Sequence, residues 1–312
     1  MEKIKFGYYN LSKITLGTVQ LGMHYGINNE GGKPSEEIAN QVLSTAIDGG
    51  ITTFDTSSDY GTSESLVGAY FKRNKEQKPF IITKFGVGNF DNPLSEIEVE
   101  KTIRKQVETS LDRLGYAKLP LLLTHNEKDL DCYGDIIICA LKKLQKEGLV
   151  DKVGASLNHF SYVDKVLAYN IFEAVQLPLN MMDVKNAIGK DIQNLAKNNV
   201  AVFIRSVFLQ GLFFRPPEAL PEGVLQNAKK PLKKVREIAE EENMTIAGLA
   251  IAYIRDLQGV SSLVMGAEKT EQVKENIELI NVKKISDNAR EKIISAFRDI
   301  DERVLCPWLW GK

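Results

Sequence analysis

Two residue types that can carry out proton transfer stand close together in the first quarter of the chain, at Asp55 and Tyr60. The stretch before them, residues 50–54, is short and apolar and predicts a buried strand. A charged carboxylate at the end of such a strand costs free energy unless a partner compensates it. A phenol held beside that carboxylate is in a place where its pKa can be shifted. Acid–base chemistry is therefore the first hypothesis for this segment.

A cation and an imidazole follow the next two predicted strands, at Lys84 and His125. Side chains at the carboxyl ends of neighbouring parallel strands converge on one rim of a barrel. A free tyrosine has a pKa of about 10; we expect Lys84 to lower that of Tyr60, while Asp55 keeps the lysine charged. Taken singly, each residue is better explained as an ordinary turn, surface or core residue. As a set at successive strand ends, they predict an active site.

Short apolar runs alternate with helical patterns along the chain, which is typical of parallel strands joined by helices. The predicted strands are 13–16, 52–54, 80–83, 121–124, 152–155, 174–177, 201–204 and 262–265. Eight such units in 312 residues predict an α/β protein, a single-domain (β/α)8 TIM barrel over residues 1–312. A hairpin over residues 4–16, turning near 10–12, precedes it, and extra helices lie at its C-terminal end. An open doubly wound sheet is the alternative, but residues 17–22 lack the Gly-x-Gly-x-x-Gly motif of nucleotide-binding members.

Capping residues and apolar periodicity place helices between the strands. Ser35 and Ser95 are expected to cap two of them, which end at the glycines 49–50 and 115. The other predicted helices cover 133–147, 162–168, 188–198, 228–242, 246–257, 270–280 and 286–299.

Composition argues against several classes of function. The 40 basic residues against 41 acidic ones leave no basic excess to hold nucleic acid. Cys132, Cys139 and Cys306 show no Cys-x-x-Cys pairing, which argues against a zinc site or a disulfide framework. No apolar run approaches the roughly 18 residues that a membrane-spanning helix needs. We therefore expect a cytoplasmic protein with no metal, membrane or nucleic-acid partner.

Four segments resemble motifs of the aldo-keto reductases, which are nicotinamide-dependent carbonyl reductases built on a (β/α)8 barrel. The segments are residues 54–64, 110–115, 122–126 and 154–158. The resemblance implies a catalytic set of four: Asp55, Tyr60, Lys84 and His125. In this family the carbonyl carbon receives a hydride from the cofactor, so Tyr60 would protonate the alkoxide and His125 would orient the carbonyl oxygen. The resemblance also implies that the hairpin closes the bottom of the barrel.

The same resemblance implies a nicotinamide cofactor bound by the second half of the chain. Its expected contacts are Ser156, Asn158, Gln176, Arg205, Ser206, Phe208, Gly211, Gly266, Lys269, Gln272, Glu275 and Asn276. The first three would bond the carboxamide, because their side chains supply donors and acceptors. Arg205 stands where the family usually has an aromatic ring stacked on the nicotinamide. Few basic residues stand where a 2′-phosphate would bind, with Lys269 the nearest substitute; we still predict NADPH, with NADH as the alternative.

Substrate selection is expected from the loop after the first barrel strand and from the C-terminal tail. The candidate substrate contacts are His24, Tyr25 and Trp308. The stretch 16–35 is similar to bacterial aldo-keto reductases of surface-sugar biosynthesis, which implies a carbohydrate-derived carbonyl whose hydroxyls would meet His24 and Asn28. Trp308 and Trp310 would pack over the barrel mouth or, as we favour, pin the tail to the barrel.

Two other functions stay open from the residues alone. The first is a regulatory subunit that keeps the barrel and the cofactor but does not turn over a substrate. The second is a lyase that uses Lys84 as a Schiff-base nucleophile, which requires a lowered lysine pKa that Asp55 opposes. The oligomeric state is not predicted.

Overall fold

The computed structural model describes residues 1–26, 29 and 31–310, with only the main chain of Trp308. Its strands are β1 (Lys3–Phe6), β2 (Tyr9–Ser12), β3 (Ile14–Gly17), β4 (Thr53–Asp55), β5 (Phe80–Phe85), β6 (Leu119–Thr124), β7 (Val150–Ser156), β8 (Ala174–Pro178), β9 (Ala201–Arg205) and β10 (Val260–Gly266). From β3 onward each strand pairs in parallel with the next, and β10 pairs with β3, so the ring is closed. The predicted (β/α)8 barrel is confirmed. The open-sheet alternative is wrong, because an open sheet would leave two edge strands.

Helices surround this ring. They are α1 (Val19–Gly22), α2 (Glu36–Asp48), α3 (Ser63–Arg73), α4 (Glu96–Leu114), α5 (Glu127–Lys146), α6 (Val163–Tyr169), α7 (Val184–Ile188), α8 (Asp191–Lys197), α9 (Lys229–Glu241), α10 (Ile246–Arg255), α11 (Thr270–Leu279) and α12 (Asp287–Phe297). Ser35 and Ser95 cap α2 and α4 as predicted, since each Oγ accepts a backbone N–H three residues further on. Among the described helices, none is long and apolar enough to cross a lipid bilayer.

Three helices differ from prediction. The predicted helix 188–198 is two helices, α7 and α8, because Gly189 between them is extended. Helix α5 starts earlier than expected, where the Asn126 side chain accepts the N–H of Lys128. Helix α3 is missing from the predicted set. Its central Gly68 weakens helix propensity, yet the absence of a side chain there admits the main chain of Arg113 at the end of α4.

The N-terminal hairpin closes one end of the barrel. Apolar side chains from alternate strands fill the interior, and Phe6 and Leu11 of the hairpin join that cluster. The rings of Phe6 and Phe80 lie 5.9 Å apart, edge to face. The predicted turn position near residues 10–12 is wrong: the strands turn at Gly7 and Tyr8, where Gly7 adopts a positive φ of 59°. The other end of the barrel stays open.

Candidate active site

A buried ion pair lies at the open end, between strands β4 and β5. Lys84 Nζ donates to Asp55 Oδ1 at 2.7 Å and to the carbonyl oxygen of Thr56 at 2.8 Å. Gln176 on β8 donates its Nε2 to the same carboxylate oxygen, also at 2.7 Å. The side chains of Lys84 and Asp55 are 0% and 5% exposed, so these hydrogen bonds compensate two charges removed from water.

Tyr60 completes the cluster from the loop between β4 and α3. Lys84 Nζ lies 4.8 Å from the centre of its ring, and the imidazole of His125 packs edge to face with it at 5.8 Å. The loop lies directly against Gly22 at the end of α1, where a Cβ atom would come within 1.9 Å of the Tyr60 carbonyl oxygen. The structure therefore brings together all four predicted catalytic residues.

Burial and charge pull the Tyr60 phenol in opposite directions. Burial raises the pKa of Tyr60, while the Lys84 ammonium and, more weakly, the Arg205 guanidinium lower it, and the net direction is upward. Lys84 acts in the expected direction, but burial outweighs it. Burial lowers the pKa of Lys84, yet the Asp55 carboxylate and Tyr60 outweigh that effect and raise it overall. At neutral pH the pair therefore holds a protonated phenol and a charged lysine.

His125 has a partner that the sequence analysis missed. Its Nδ1 lies 3.0 Å from Oδ2 of Asp59 and 3.3 Å from Oγ of Ser57. The hydrogen bond with His125 lowers the pKa of Asp59, although partial burial opposes this. The position of Asp59, immediately before Tyr60 in the motif, is the signal that could have identified it.

A cavity of about 310 Å³ opens beside Tyr60 and Asp55. The predicted cofactor contacts that line it are Gln176, Arg205, Ser206, Phe208, Gly211, Gly266 and Gln272. Those that do not line it are Ser156, Asn158, Lys269, Glu275 and Asn276. The structure thus assembles the greater part of the predicted cofactor set around one cavity.

The wall of the cavity fits an amide-bearing ligand such as a nicotinamide. Gln176 is 1% exposed; its Nε2 is used by Asp55, and its carbonyl oxygen has no hydrogen-bond partner among the described residues. Ser156 is paired with Gln176 in the β7–β8 ladder. Gln20, also in the wall, has a buried Oε1 without a partner and packs on bare Gly266, where a Cβ would lie 2.4 Å from its amide nitrogen. Gln20 is a site residue that the sequence analysis missed.

Asn158, a predicted carboxamide contact, is held by the protein instead. Its backbone N–H and its Nδ2 both donate to Glu127 Oε2, at 2.9 and 3.1 Å. Its Oδ1 accepts a hydrogen bond of 2.6 Å from Arg205, which also donates to the carbonyl oxygen of Leu157. Glu127 is 3% exposed and was not predicted to be part of the site. This network fixes the orientation of the Arg205 guanidinium at the edge of the cavity.

The segment after β9 carries unusual backbone geometry. Ser206, Leu209 and Gln210 all have positive φ values, of 63°, 49° and 52°. Each such residue costs on the order of 1 kcal/mol or more, and such strain concentrates at ligand-binding sites. Gln210 donates its side-chain amide to the Tyr25 hydroxyl at 3.3 Å. This bond joins the loop after β3 to the segment after β9 across the mouth of the cavity.

The predicted substrate contacts have different locations. Tyr25 lines the cavity. His24 is exposed, pairs through Nε2 with the carbonyl oxygen of Asn29 at 2.7 Å, and does not line the cavity. Asn28 and the side chain of Trp308 lie outside the described residues. Trp310 packs against the core and donates its indole N–H to the carbonyl oxygen of Val304 at 3.1 Å, which pins the tail.

The far end of the cavity is formed by the start of helix α11. Gln272 accepts hydrogen bonds from the backbone N–H groups of Glu268 and Lys269, at 2.8 and 3.2 Å. Glu268 lines the cavity, while Lys269 and Glu275 are exposed outside it. Asn276 is buried and donates to the Gly266 carbonyl oxygen at 3.4 Å. An acidic side chain, rather than a basic one, therefore forms part of this wall.

Known proteins share both the sequence pattern and the fold. The chain is 26% identical to the NADH-specific methylglyoxal reductase of Escherichia coli, covering 90% of this chain and 94% of that protein. It is 28% identical to the aldo-keto reductase yakc [NADP(+)] of Schizosaccharomyces pombe, covering 94% and 90%. The holo form of the aldo-keto reductase AKR11C1 from Bacillus halodurans superposes with a TM-score of 0.76 at 22% identity, covering 95% and 96%.

A second solved structure agrees. The glycerol dehydrogenase AKR11B4 of Gluconobacter oxydans has a TM-score of 0.74 at 21% identity, covering 96% of both chains. A sequence profile of the aldo/keto reductase family matches residues 13–296, nearly the whole chain. The chain therefore belongs to the aldo/keto reductase family, a family of NAD(P)H-dependent oxidoreductases.

Proposed function

We propose that the protein reduces a small aldehyde or ketone to an alcohol, with Tyr60 as the proton donor. The observation that carries this proposal is the buried Lys84–Asp55 pair beside a protonated phenol, at the wall of a cavity suited to a nicotinamide. Hydride transfer to a carbonyl requires a proton for the oxygen, and this arrangement supplies one.

Each residue has a distinct part in the proposed step. A bound reduced nicotinamide supplies the hydride that reaches the carbonyl carbon. As charge develops on the carbonyl oxygen, Tyr60 gives its hydroxyl proton to that oxygen, and the Lys84 ammonium stabilises the phenolate left behind. Asp55 keeps Lys84 charged and correctly placed. The phenolate then takes a proton from solvent, which restores the site.

The lyase alternative loses support from this geometry. A Schiff-base lysine must be neutral at working pH. Lys84 instead has a raised pKa and donates hydrogen bonds to Asp55 and to the Thr56 carbonyl oxygen. Its nitrogen is therefore held as a cation by groups that would all have to move.

For the cofactor we propose NADH, against the NADPH expected from sequence. The Glu268 carboxylate in the wall would repel a 2′-phosphate, and Gln272 already uses its side-chain oxygen to cap α11. The exposed Lys269 lies outside the wall. One curated relative is named as NADH-specific and another as NADP(+)-linked, so either specificity occurs among similar chains.

The substrate is proposed to be small and oxygen-rich. The Escherichia coli relative is named for methylglyoxal, a three-carbon compound with two carbonyl groups. The resemblance of residues 16–35 to sugar-biosynthesis reductases implies a carbohydrate-derived carbonyl. A panel of methylglyoxal, glyceraldehyde, hydroxyacetone and open-chain sugars therefore covers the proposal.

Comparison of wild type with Tyr60→Phe tests the proton donor. Nicotinamide absorbance is followed on this panel, and cofactor dissociation constants are measured separately. We expect the variant to lose turnover by about 10²- to 10⁴-fold while it still binds the cofactor, since only proton transfer is removed. Tyr8→Phe, at an exposed hairpin tyrosine, is the matched control and should retain activity.

Two results would count against the proposal. Near wild-type turnover by Tyr60→Phe would remove Tyr60 as the proton donor. Wild-type protein that binds cofactor yet reduces no carbonyl would favour the cofactor-binding regulatory subunit instead.

A further inference from the structure

The pair formed by Asp59 and His125 has a chemical consequence for the substrate. We propose that Asp59 holds His125 in the form protonated at Nδ1, so that Nε2 is a hydrogen-bond acceptor and the site selects carbonyl compounds with a hydroxyl group on the adjacent carbon. Asp59 is then a positioning residue that acts through His125. The substrate part of this inference rests on the proposed carbonyl reduction; the tautomer part does not.

The carboxylate decides which ring nitrogen carries the proton. Asp59 Oδ2 lies 3.0 Å from Nδ1 of His125. An ionised carboxylate can only accept hydrogen bonds, so Nδ1 must be the donor. The alternative, a protonated Asp59 donating to Nδ1, needs a raised carboxyl pKa, whereas the hydrogen bond with His125 lowers the pKa of Asp59.

Both members of the pair are anchored by neighbouring groups. The backbone N–H of His125 donates to the Phe85 carbonyl oxygen at 2.7 Å, which places the residue directly beyond β6. The Asp59 backbone N–H donates to Oγ of Ser57 at 3.2 Å, and Ser57 is 1% exposed. A second carboxylate nearby, Asp129, is occupied by the backbone N–H groups of Val87 and Gly88. Asp59 is therefore the carboxylate that sets the tautomer.

The other ring nitrogen is available to a ligand. Among the residues that the structure describes, Nε2 of His125 has no hydrogen-bond partner. In a neutral ring with its proton on Nδ1, Nε2 carries a lone pair and accepts. A carbonyl oxygen, which also only accepts, cannot pair with it.

The neighbouring phenol supplies the opposite polarity. Tyr60 is protonated at neutral pH and its ring lies 5.8 Å from that of His125. A donor on Tyr60 beside an acceptor on His125 matches a substrate with a carbonyl oxygen beside a hydroxyl group. 2-Hydroxyketones and 2-hydroxyaldehydes, including open-chain sugars, have this pattern. A simple ketone would leave Nε2 without a partner, which costs binding free energy.

Nitrogen NMR of the free protein tests the tautomer without any turnover. The chain has three histidines, so the His24→Gln and His159→Gln spectra assign the signals of His125. At a pH of about 8.5, above the usual histidine range, we expect wild type to carry its proton on Nδ1. Asp59→Asn and Asp59→Ala should shift the ring toward the Nε2-protonated form. A wild-type ring protonated at Nε2, or on both nitrogens, overturns the proposal.

Paired substrates test the selectivity. Hydroxyacetone and methoxyacetone have similar electron-withdrawing groups, but methoxyacetone cannot donate a hydrogen bond. We expect wild type to favour hydroxyacetone in kcat/KM, and Asp59→Asn to reduce that preference by about three- to tenfold, the effect of one hydrogen bond. Asp131→Asn, at an exposed aspartate that pairs with Lys165, is the matched control and should keep the wild-type ratio.

The outcomes separate the two proposals. Equal kcat/KM for the two ketones, or the same ratio in wild type and Asp59→Asn, overturns the selectivity. If wild type reduces no carbonyl, the proposed function fails and the selectivity fails with it. The nitrogen spectra decide the tautomer in either case.

Discussion

At the scale of single residues, the site depends on one carboxylate oxygen that serves two partners. Asp55 Oδ1 accepts from Lys84, which sets the charge beside Tyr60, and from Gln176, which lines the cofactor cavity. Removing one partner of a buried ion pair typically costs 3–5 kcal/mol, because the other charge stays buried without compensation. Through Gln176, a ligand in the cavity and the ion pair below it therefore share a hydrogen-bond network.

Cofactor choice is also decided by single residues, and Glu268→Gln tests it. Removing this negative charge from the cavity wall should tighten NADPH binding by about three- to fivefold, the value of one partly exposed charge interaction, and leave NADH nearly unchanged. Dissociation constants from nicotinamide fluorescence provide the measurement. Glu275→Gln, on an exposed residue of the same helix, is the control. If Glu275→Gln alone changed the ratio, the original sequence-based assignment of Glu275 would be right.

At the scale of elements, the position of the catalytic phenol depends on how one loop packs against one short helix. The loop between β4 and α3 lies on the end of α1, and main-chain atoms of Tyr60 and Ser63 occupy the space where a Gly22 side chain would be. Both backbones are also tied together, since the N–H of Thr62 donates to the Gly22 carbonyl oxygen at 3.3 Å. Helix α1 therefore supports the phenol without contacting the cavity through a side chain of Gly22.

Gly22→Ala should displace this loop. The added Cβ meets main-chain atoms at 1.9 and 2.6 Å, so the backbone must move. We expect about 1–3 kcal/mol of lost stability, as for an overpacked site, and a larger loss in kcat than in cofactor affinity. Gly31→Ala is the control in the same connecting stretch, because the nearest atom to its Cβ is 4.0 Å away. Unchanged stability and kcat in Gly22→Ala would show that the loop tolerates the shift.

At the scale of the whole molecule, the closed ring and its hairpin form one connected core. Every barrel strand is hydrogen-bonded on both sides, and the hairpin contributes Phe6 and Leu11 to the interior. A single domain over residues 1–312 should therefore unfold as one unit.

Calorimetry tests that prediction together with cofactor binding. We expect one unfolding transition, which NADH at about 100 times its dissociation constant should raise by about 4 °C, from roughly 2.7 kcal/mol of binding free energy. NADPH at the same concentration should raise it less. A separate early transition lost on deletion of residues 1–12 would contradict the single-domain prediction.

Much of the architecture is readable from local pattern. All eight barrel strands were predicted within a few residues, because strands covered on both faces are short apolar runs that alternate with capped helices. The four catalytic residue types at strand ends were readable for the same reason. Gly68 concealed α3, and Gly189 concealed the break between α7 and α8, since the effect of a glycine depends on what packs against it.

The sequence by itself determined the barrel, the family and the four residues that meet at its rim, because these depend on residue type and on spacing along the chain. Only the tertiary structure decided which groups the buried polar atoms pair with: Asp55 with Gln176, His125 with Asp59, and Asn158 with Glu127 and Arg205. These partners lie between 31 and 121 residues apart. A hydrogen bond depends on ångström-scale approach and orientation, which folding creates and local sequence does not encode.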